Sequence, residues 1–152
     1  MTYNAPCGRG FVTLLESFRA SGGTAPGDVL GRLLEDRQAG EAVSLAKLVH
    51  SAQVFGFEWR GSLWIPMFQF NADDLSLAAP PQAVRRELPQ GWSGWAVALW
   101  FATPNAGLCG QRPVDLLRLD LAPVLQAAQA LPPLKARPAV QLQRTQQRAA
   151  HA

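Results

Sequence analysis

The sequence predicts a mainly α fold with one β-hairpin, an α+β arrangement. It comprises an N-terminal three-helix unit, a hairpin over 54–70 and a C-terminal helical region. Three observations predict it. Apolar residues recur at helical spacing in three successive N-terminal segments. The period then switches to two between Val54 and Phe70. From Trp92 onward helical periodicity returns, cut by ordered prolines and glycines. At 152 residues, with 48% hydrophobic and 16% charged content, the chain has the material for a packed core. The expected division is 1–91 for the three helices and hairpin, 92–133 for the C-terminal helices, and 134–152 for a basic tail.

Phe11, Leu14, Leu15 and Phe18 fall on one face of a first helix, which Gly22-Gly23 ends. Asp28 is placed to cap a second, bearing Val29, Leu30, Leu33 and Leu34 and stopping near Gly40. Ser44 caps a third, with Leu45, Leu48, Val49 and Ala52 as its stripe. Phe55, Phe57 and Trp59 then share one face of a strand. Arg60-Gly61 makes a turn, and Trp64, Pro66, Phe68 and Phe70 share a face of the returning strand. Pro66 has no N–H for a ladder, so that strand should lie at an edge or bend there. Exposed aromatic edges invite pairing, which makes a homodimer a reasonable expectation.

Asn71 to Pro81 connects to a short helix over Gln82–Leu88, with Arg85 and Arg86 expected outward. Trp92 to Thr103 is the most hydrophobic helix. Trp92, Trp95, Ala96 and Leu99 mark one face, and its other faces are apolar too, so it should be central. Asp120 is positioned to cap a last helix with Val124, Leu125, Ala128 and Leu131 buried, ended by Pro132-Pro133.

The pI near 9.4 divides unevenly. Residues 1–120 carry ten Lys/Arg and eleven Asp/Glu, a balance of −1, whereas 121–152 carry Lys135, Arg137, Arg144 and Arg148 and no acid, a balance of +4. A whole-protein basic patch for nucleic acid is therefore unsupported. No apolar run is long enough to cross a membrane. The opening M-T-Y-N-A-P-C-G-R-G lacks the apolar centre of a secretory signal, so a cytoplasmic location is expected. Cys7 and Cys109 are far apart, outside any CxxC spacing, and are expected as free thiols.

Catalytic patterns are missing. The histidines are His50 and His151, with no HxxxH, GxSxG or glycine-rich phosphate loop. Asp73-Asp74 reads as turn chemistry, and no cation clearly activates Cys109 except Arg112. The expectation is a protein that is not an enzyme and needs neither metal nor cofactor. Three helices followed by a hairpin raise a winged-helix DNA-binding alternative, with Leu45–Ala52 as recognition helix and Lys47, His50 and Gln53 as contacts. Against it, the usual pairing of Ala with Gly four residues later fails, since Ala46 is followed by His50. Five tryptophans, at 59, 64, 92, 95 and 100, suit a core of large rings. Trp59 and Trp64, flanking the hairpin turn, are the better anchors for a partner.

The densest punctuation runs from Trp100 to Leu117, W-F-A-T-P-N-A-G-L-C-G-Q-R-P-V-D-L-L. Pro104 biases Thr103 out of helical ψ and ends one helix. Asn105, Gly107 and Gly110 can take positive φ for a corner. Pro113 suits the first turn of the next helix and Asp115 its dipole. Trp100, Pro104, Asn105, Leu108, Gly110, Pro113, Asp115, Leu116 and Leu117 together resemble the toxin-binding domain of Xre, MbcA and ParS type antitoxins, over about residues 92–131. The resemblance implies a protein that binds and neutralises a toxin encoded by an adjacent gene, with a RES-type enzyme that consumes NAD as the candidate. It also implies a C-terminal arm that contacts the toxin, which places Asn105, Arg112 and the tail residues Arg137, Arg144 and Arg148 near that interface. Arginine's fork of donors would suit a pocket built for an anionic cofactor. The chain departs from the family plan in lacking a clear Xre-type DNA-binding signature and in carrying the W-I-P-M-F-Q-F hairpin.

Overall fold

The computed structural model describes residues 8–37 and 44–131. The fold is mixed α+β and mainly helical, with a small three-stranded antiparallel sheet. Helix α1 (Gly8–Ser17) buries Phe11 and Leu14, and Phe18 follows them into the core just past its end. A 3-10 turn over Arg19–Ser21 leads to Gly22 and Gly23 at φ 106° and 78°. These left-handed residues swing the chain into β1 (Thr24–Pro26), a strand that the sequence pattern did not suggest. Helix α2 (Gly27–Arg37) starts at once, so Asp28 lies inside its first turn, where a carboxylate still suits the dipole. Leu30 and Leu34 are buried, whereas Val29 and Leu33 are exposed.

Helix α3 (Leu45–His50) is capped as expected, the Ser44 hydroxyl accepting from the Lys47 N–H at 3.3 Å. It is shorter than its stripe implied. Ala52 turns away at φ 60° and is exposed. Strands β2 (Phe57–Trp59) and β3 (Ser62–Pro66) pair Phe57 with Trp64 and Trp59 with Ser62 around Arg60-Gly61, both at positive φ. That is the turn whose twist matches a two-residue hairpin. Strand β1 pairs with the other side of β3, Thr24 opposite Pro66 and Ala25 opposite Ile65. The order is β1-β3-β2, so the Pro66 strand is central rather than an edge. Pro66 is tolerated because it ends the strand. The chain bends there into a 3-10 turn over Met67–Gln69, short of the extended run to Phe70.

The sheet separates two apolar clusters because successive side chains point to opposite faces. Leu63 and Ile65 join Leu30, Leu34, Leu45, Leu48, Val54 and Phe70 on one side. Phe57 and Trp64 join the larger cluster on the other, which runs from Phe11 to Ala128 and so draws on both sides of the 91/92 boundary. Helix α4 (Ala79–Glu87) begins three residues before its expected start, with prolines in its first turn. Its Arg86 is exposed, but Arg85 is 9% exposed and not outward, because it falls one position from Val84 on the buried face.

Helix α5 (Gly94–Ala102), capped by Ser93 Oγ on the Ala96 N–H, buries Val97, Ala98, Phe101 and Ala102. Of the expected face, Leu99 alone turns outward, 49% exposed, while Trp92 and Trp95 pack half-buried against the core and Ala96 is half-buried. With apolar residues all round, periodicity does not select a face. What selects it is a close approach at the helix start, where a Cβ on Gly94 would overlap the carbonyl of Gly56. That contact lays Phe101 on Phe55, rings parallel at 5.6 Å. Helices α6 (Pro113–Leu116) and α7 (Leu121–Gln129) complete the described chain, with Val114, Leu117, Val124 and Ala128 buried. Asp120 occupies the cap position of α7 without a side-chain cap bond.

Gln69 is the polar residue at the centre of this packing, 3% exposed. Its Oε1 accepts from the Phe55 N–H at 2.9 Å, and its Nε2 donates to the carbonyls of Phe55 and Pro66 at 2.8 and 3.0 Å. One side-chain amide thus satisfies backbone that no strand reaches.

Candidate functional site

The corner between α5 and α6 is built from its own landmarks. Thr103 is extended at the end of α5 (φ −98°, ψ 134°), as a residue before proline should be. The Asn105 N–H donates to the Gln111 carbonyl at 3.0 Å, and the Asn105 carbonyl accepts from the Gly110 N–H at 2.9 Å. The Asn105 side chain accepts from the Gly107 N–H at 2.9 Å, opening a 3-10 turn over Ala106–Leu108. The left-handed positions are Cys109 and Gly110, at φ 55° and 81°, and not Asn105 or Gly107. Leu108 is the inward anchor, while Cys109, Gly110 and Gln111 are exposed. Pro113 opens α6 as expected.

Arg112 joins this corner to the rest of the fold. Its Nε and Nη2 grip both oxygens of Asp115 at 2.8 and 2.9 Å. Its Nη1 donates to the Ser17 carbonyl at the end of α1, 2.7 Å away. The fork that sequence reasoning reserved for a partner is engaged inside the protein, and the cation also sits where the C-terminus of α1 favours one. A cleft of about 560 Å³ opens beside it, between Gly22, Met67 and Phe70 on one wall and Val114, Asp115 and Arg118 on the other. Leu119, 81% exposed, lies just beyond.

A second candidate surface lies at the other side of the sheet. Ala46, Val49 and His50 of α3 face Gly61, Ser62 and Leu63 of the hairpin across a groove of about 670 Å³ that also touches Gly27 and Asp28. Lys47, His50 and Gln53 are all exposed. Arg60, at the hairpin tip, lies 5.2 Å from the Trp59 ring centre, within cation–π range. Trp59 and Trp64 are half-buried. Trp59 stacks on Phe11 at 5.0 Å and Trp64 meets the same ring edge-on at 5.3 Å, so their faces already have an intramolecular partner.

The Asp73-Asp74 pair behaves as turn chemistry at Asp74, whose Oδ1 accepts from the Ser76 N–H at 3.0 Å and the Ser76 hydroxyl at 2.6 Å. Those bonds, the hydroxyl first, hold its carboxyl below the ordinary Asp value. Among the described residues no group of His, Cys, Asp or Glu could hold a metal ion, and no helix is long and apolar enough to cross a membrane. Arg137, Arg144, Arg148, Cys7 and His151 lie outside the described residues, as do Pro132-Pro133 and the stop near Gly40. Sequence reasoning missed the internal roles of Arg112 and Gln69. A glutamine between two core phenylalanines was the available signal for the second. The chain matches no family model, no curated protein and no solved structure.

Proposed function

We propose that this chain is a non-catalytic, antitoxin-like protein that binds and silences a toxin encoded by an adjacent gene, a RES-type NAD-consuming enzyme being the candidate. The observation that carries the reading is the Trp100–Leu117 segment. Its resemblance to the toxin-binding domain rests on Pro104, Asn105, Gly110 and Pro113, and those residues build an exposed corner with Leu108 as its inward anchor. Beside it lies a cleft whose mainly apolar walls, from Met67, Phe70 and Val114, also carry Asp115 and Arg118, and the nearby Leu119 is exposed. A fixed corner with adjacent apolar surface is what a protein partner requires.

The test is neutralisation. The adjacent gene is expressed with and without this chain, and growth and cellular NAD are followed. Relief of growth arrest with a stable complex is expected; no toxicity and no complex would refute the reading. Cys109 provides a footprint, being exposed at the corner. In a Cys7→Ser background its alkylation by maleimide should be fast in the free protein and markedly slower in the complex, because reaction needs an accessible thiolate. Deleting 134–152 should weaken neutralisation and leave the melting temperature nearly unchanged.

A winged-helix DNA-binding regulator is the second reading, favoured by one observation. Residues 8–66 run helix, strand, two helices and hairpin, with sheet order β1-β3-β2, and α3 and the hairpin turn border the same groove. It predicts salt-dependent binding to the chain's own promoter, weakened by Lys47→Ala and Arg60→Ala. Promoter binding that survives both substitutions and disappears with residues 134–152 would assign the contact to the tail.

A further inference from the structure

The last turn of α4 borders a polar pocket of about 330 Å³, lined also by Ser51, Ala52 and Gln53 at the exit of α3. Arg85, Arg86, Gln82 and Gln90 form the rest of the lining. Arg85 is more than nine-tenths buried, and its Nε and Nη1 have no hydrogen-bond partner. No carboxylate lines the pocket. A guanidinium does not lose its proton in proteins, so Arg85 cannot escape the cost of burial by becoming neutral. The C-terminus of α4 favours a cation in its last turn, but it supplies no acceptor to these two nitrogens. Two of the three guanidinium nitrogens of Arg85 are thus shielded from water without an acceptor, at a pocket lined by a second arginine and three side-chain amides.

We propose that this pocket binds a phosphate-type oxyanion, free or as the monoester group of a small ligand, with Arg85 as its principal partner. The donor set selects that class. Arg85 and Arg86 offer two forks, Gln82 and Gln90 can each turn an N–H₂ group inward, and Gln53, whose Nε2 donates to the Ser51 hydroxyl at 3.0 Å, keeps a second N–H. A carboxylate has two oxygens for these donors; a phosphate has three or four and higher charge, and fork geometry matches it. The pocket is at the small end of the range for ligand sites, which leaves room for a substituent on the phosphate. Burial pushes the Arg85 pKa down, as expected where no anion faces it. The inference is independent of toxin or DNA binding, since it rests on none of the residues assigned to those surfaces except Gln53.

The test is calorimetric titration of the full chain at constant ionic strength in a buffer free of phosphate and sulfate. The titrants are inorganic phosphate, adenosine monophosphate, acetate and chloride. Saturable one-to-one binding is expected for inorganic phosphate, for the monophosphate or for both, and none for acetate or chloride. Tighter binding of the monophosphate would identify an esterified ligand, and equal or tighter binding of the inorganic ion a free one. Arg85→Met should weaken binding at least about tenfold, the effect of losing a charge-assisted pair, while Arg32→Met, an exposed arginine of α2, should leave it unchanged. If Arg85→Met does not fold, Gln90→Ala should weaken binding by a smaller factor. In the unsubstituted chain the Arg85 Nε–H resonance should move on phosphate addition. Heat for both phosphates indistinguishable from chloride, or binding that Arg85→Met leaves intact, would overturn the proposal.

Discussion

The α5–α6 corner and the joint between α5 and the hairpin solve the same problem, irregular backbone that must be satisfied, by opposite means. In the corner nearly every bond is local. Asn105 caps Gly107, and Gln111 closes the loop within seven residues. In the joint every decisive contact is distant. Gln69 serves Phe55, Gly94 meets Gly56, and Phe101 lies on Phe55. Local closure costs little loop entropy and leaves the outer surface free for recognition. Distant closure is stiff and buried, and sets where the helices stand.

That contrast predicts unequal damage. Gln69→Leu should be the most harmful change, because it strands the Phe55 N–H and two carbonyls in the core. At about 1–3 kcal/mol for each buried group left unpaired, a loss of about 4 kcal/mol is expected. Chemical denaturation would measure it, and a loss below about 1 kcal/mol would mean that water replaces the amide. Gly94→Ala comes next, at about 3 kcal/mol, since backbone rather than a flexible side chain opposes the added Cβ. Its denaturation midpoint should fall with an unchanged slope.

Changes at the corner should be milder. Arg112→Ala removes a partly exposed ion pair, 27% and 45% exposed on its two sides, and the bond to Ser17. About 1 kcal/mol is expected after solvent screening, and a double-mutant cycle with Asp115→Ala would separate the pair from the Ser17 tie. The smallest effect is at Asp74. Its folded pKa lies below the unfolded one, so its contribution is present above the unfolded value and fades as pH falls through the folded value. The carboxyl titration followed by NMR should have its midpoint below that of an ordinary Asp, and Ser76→Ala should raise it.

The same division explains what the sequence made legible. The Ser44 cap, the Arg60-Gly61 turn and Pro113 at a helix start were readable because each depends on neighbours a few residues away. Strand β1 was not, because three residues are too few to show alternation and only β3 makes them a strand. Pro66 signalled an edge strand or a bend, and once β1 took the far side of its strand the bend is what remained. For α5, nine apolar or small residues in nine gave no direction, and Gly94 against Gly56 decided it. Arg85 was assigned outward from its charge alone, and its burial depends on how α4 sits. Cys109 took the left-handed place expected of Asn105 or Gly107, since the side-chain bond of Asn105 holds that residue extended. Of the candidate site, the corner was legible and the internal engagement of Arg112 was not.

Trp95 has a consequence for how these molecules behave when crowded. Its ring packs on Phe57 and its Nε1 donates to the Glu58 carbonyl at 2.7 Å, on β2, one of the two edge strands of the sheet. A strand from another copy would have to compete with that indole for the same acceptor. The hairpin that looked adhesive in the sequence therefore carries its own stopper, and Trp95→Phe, which keeps the ring and removes the donor, is the change that would turn a well-behaved solution toward association.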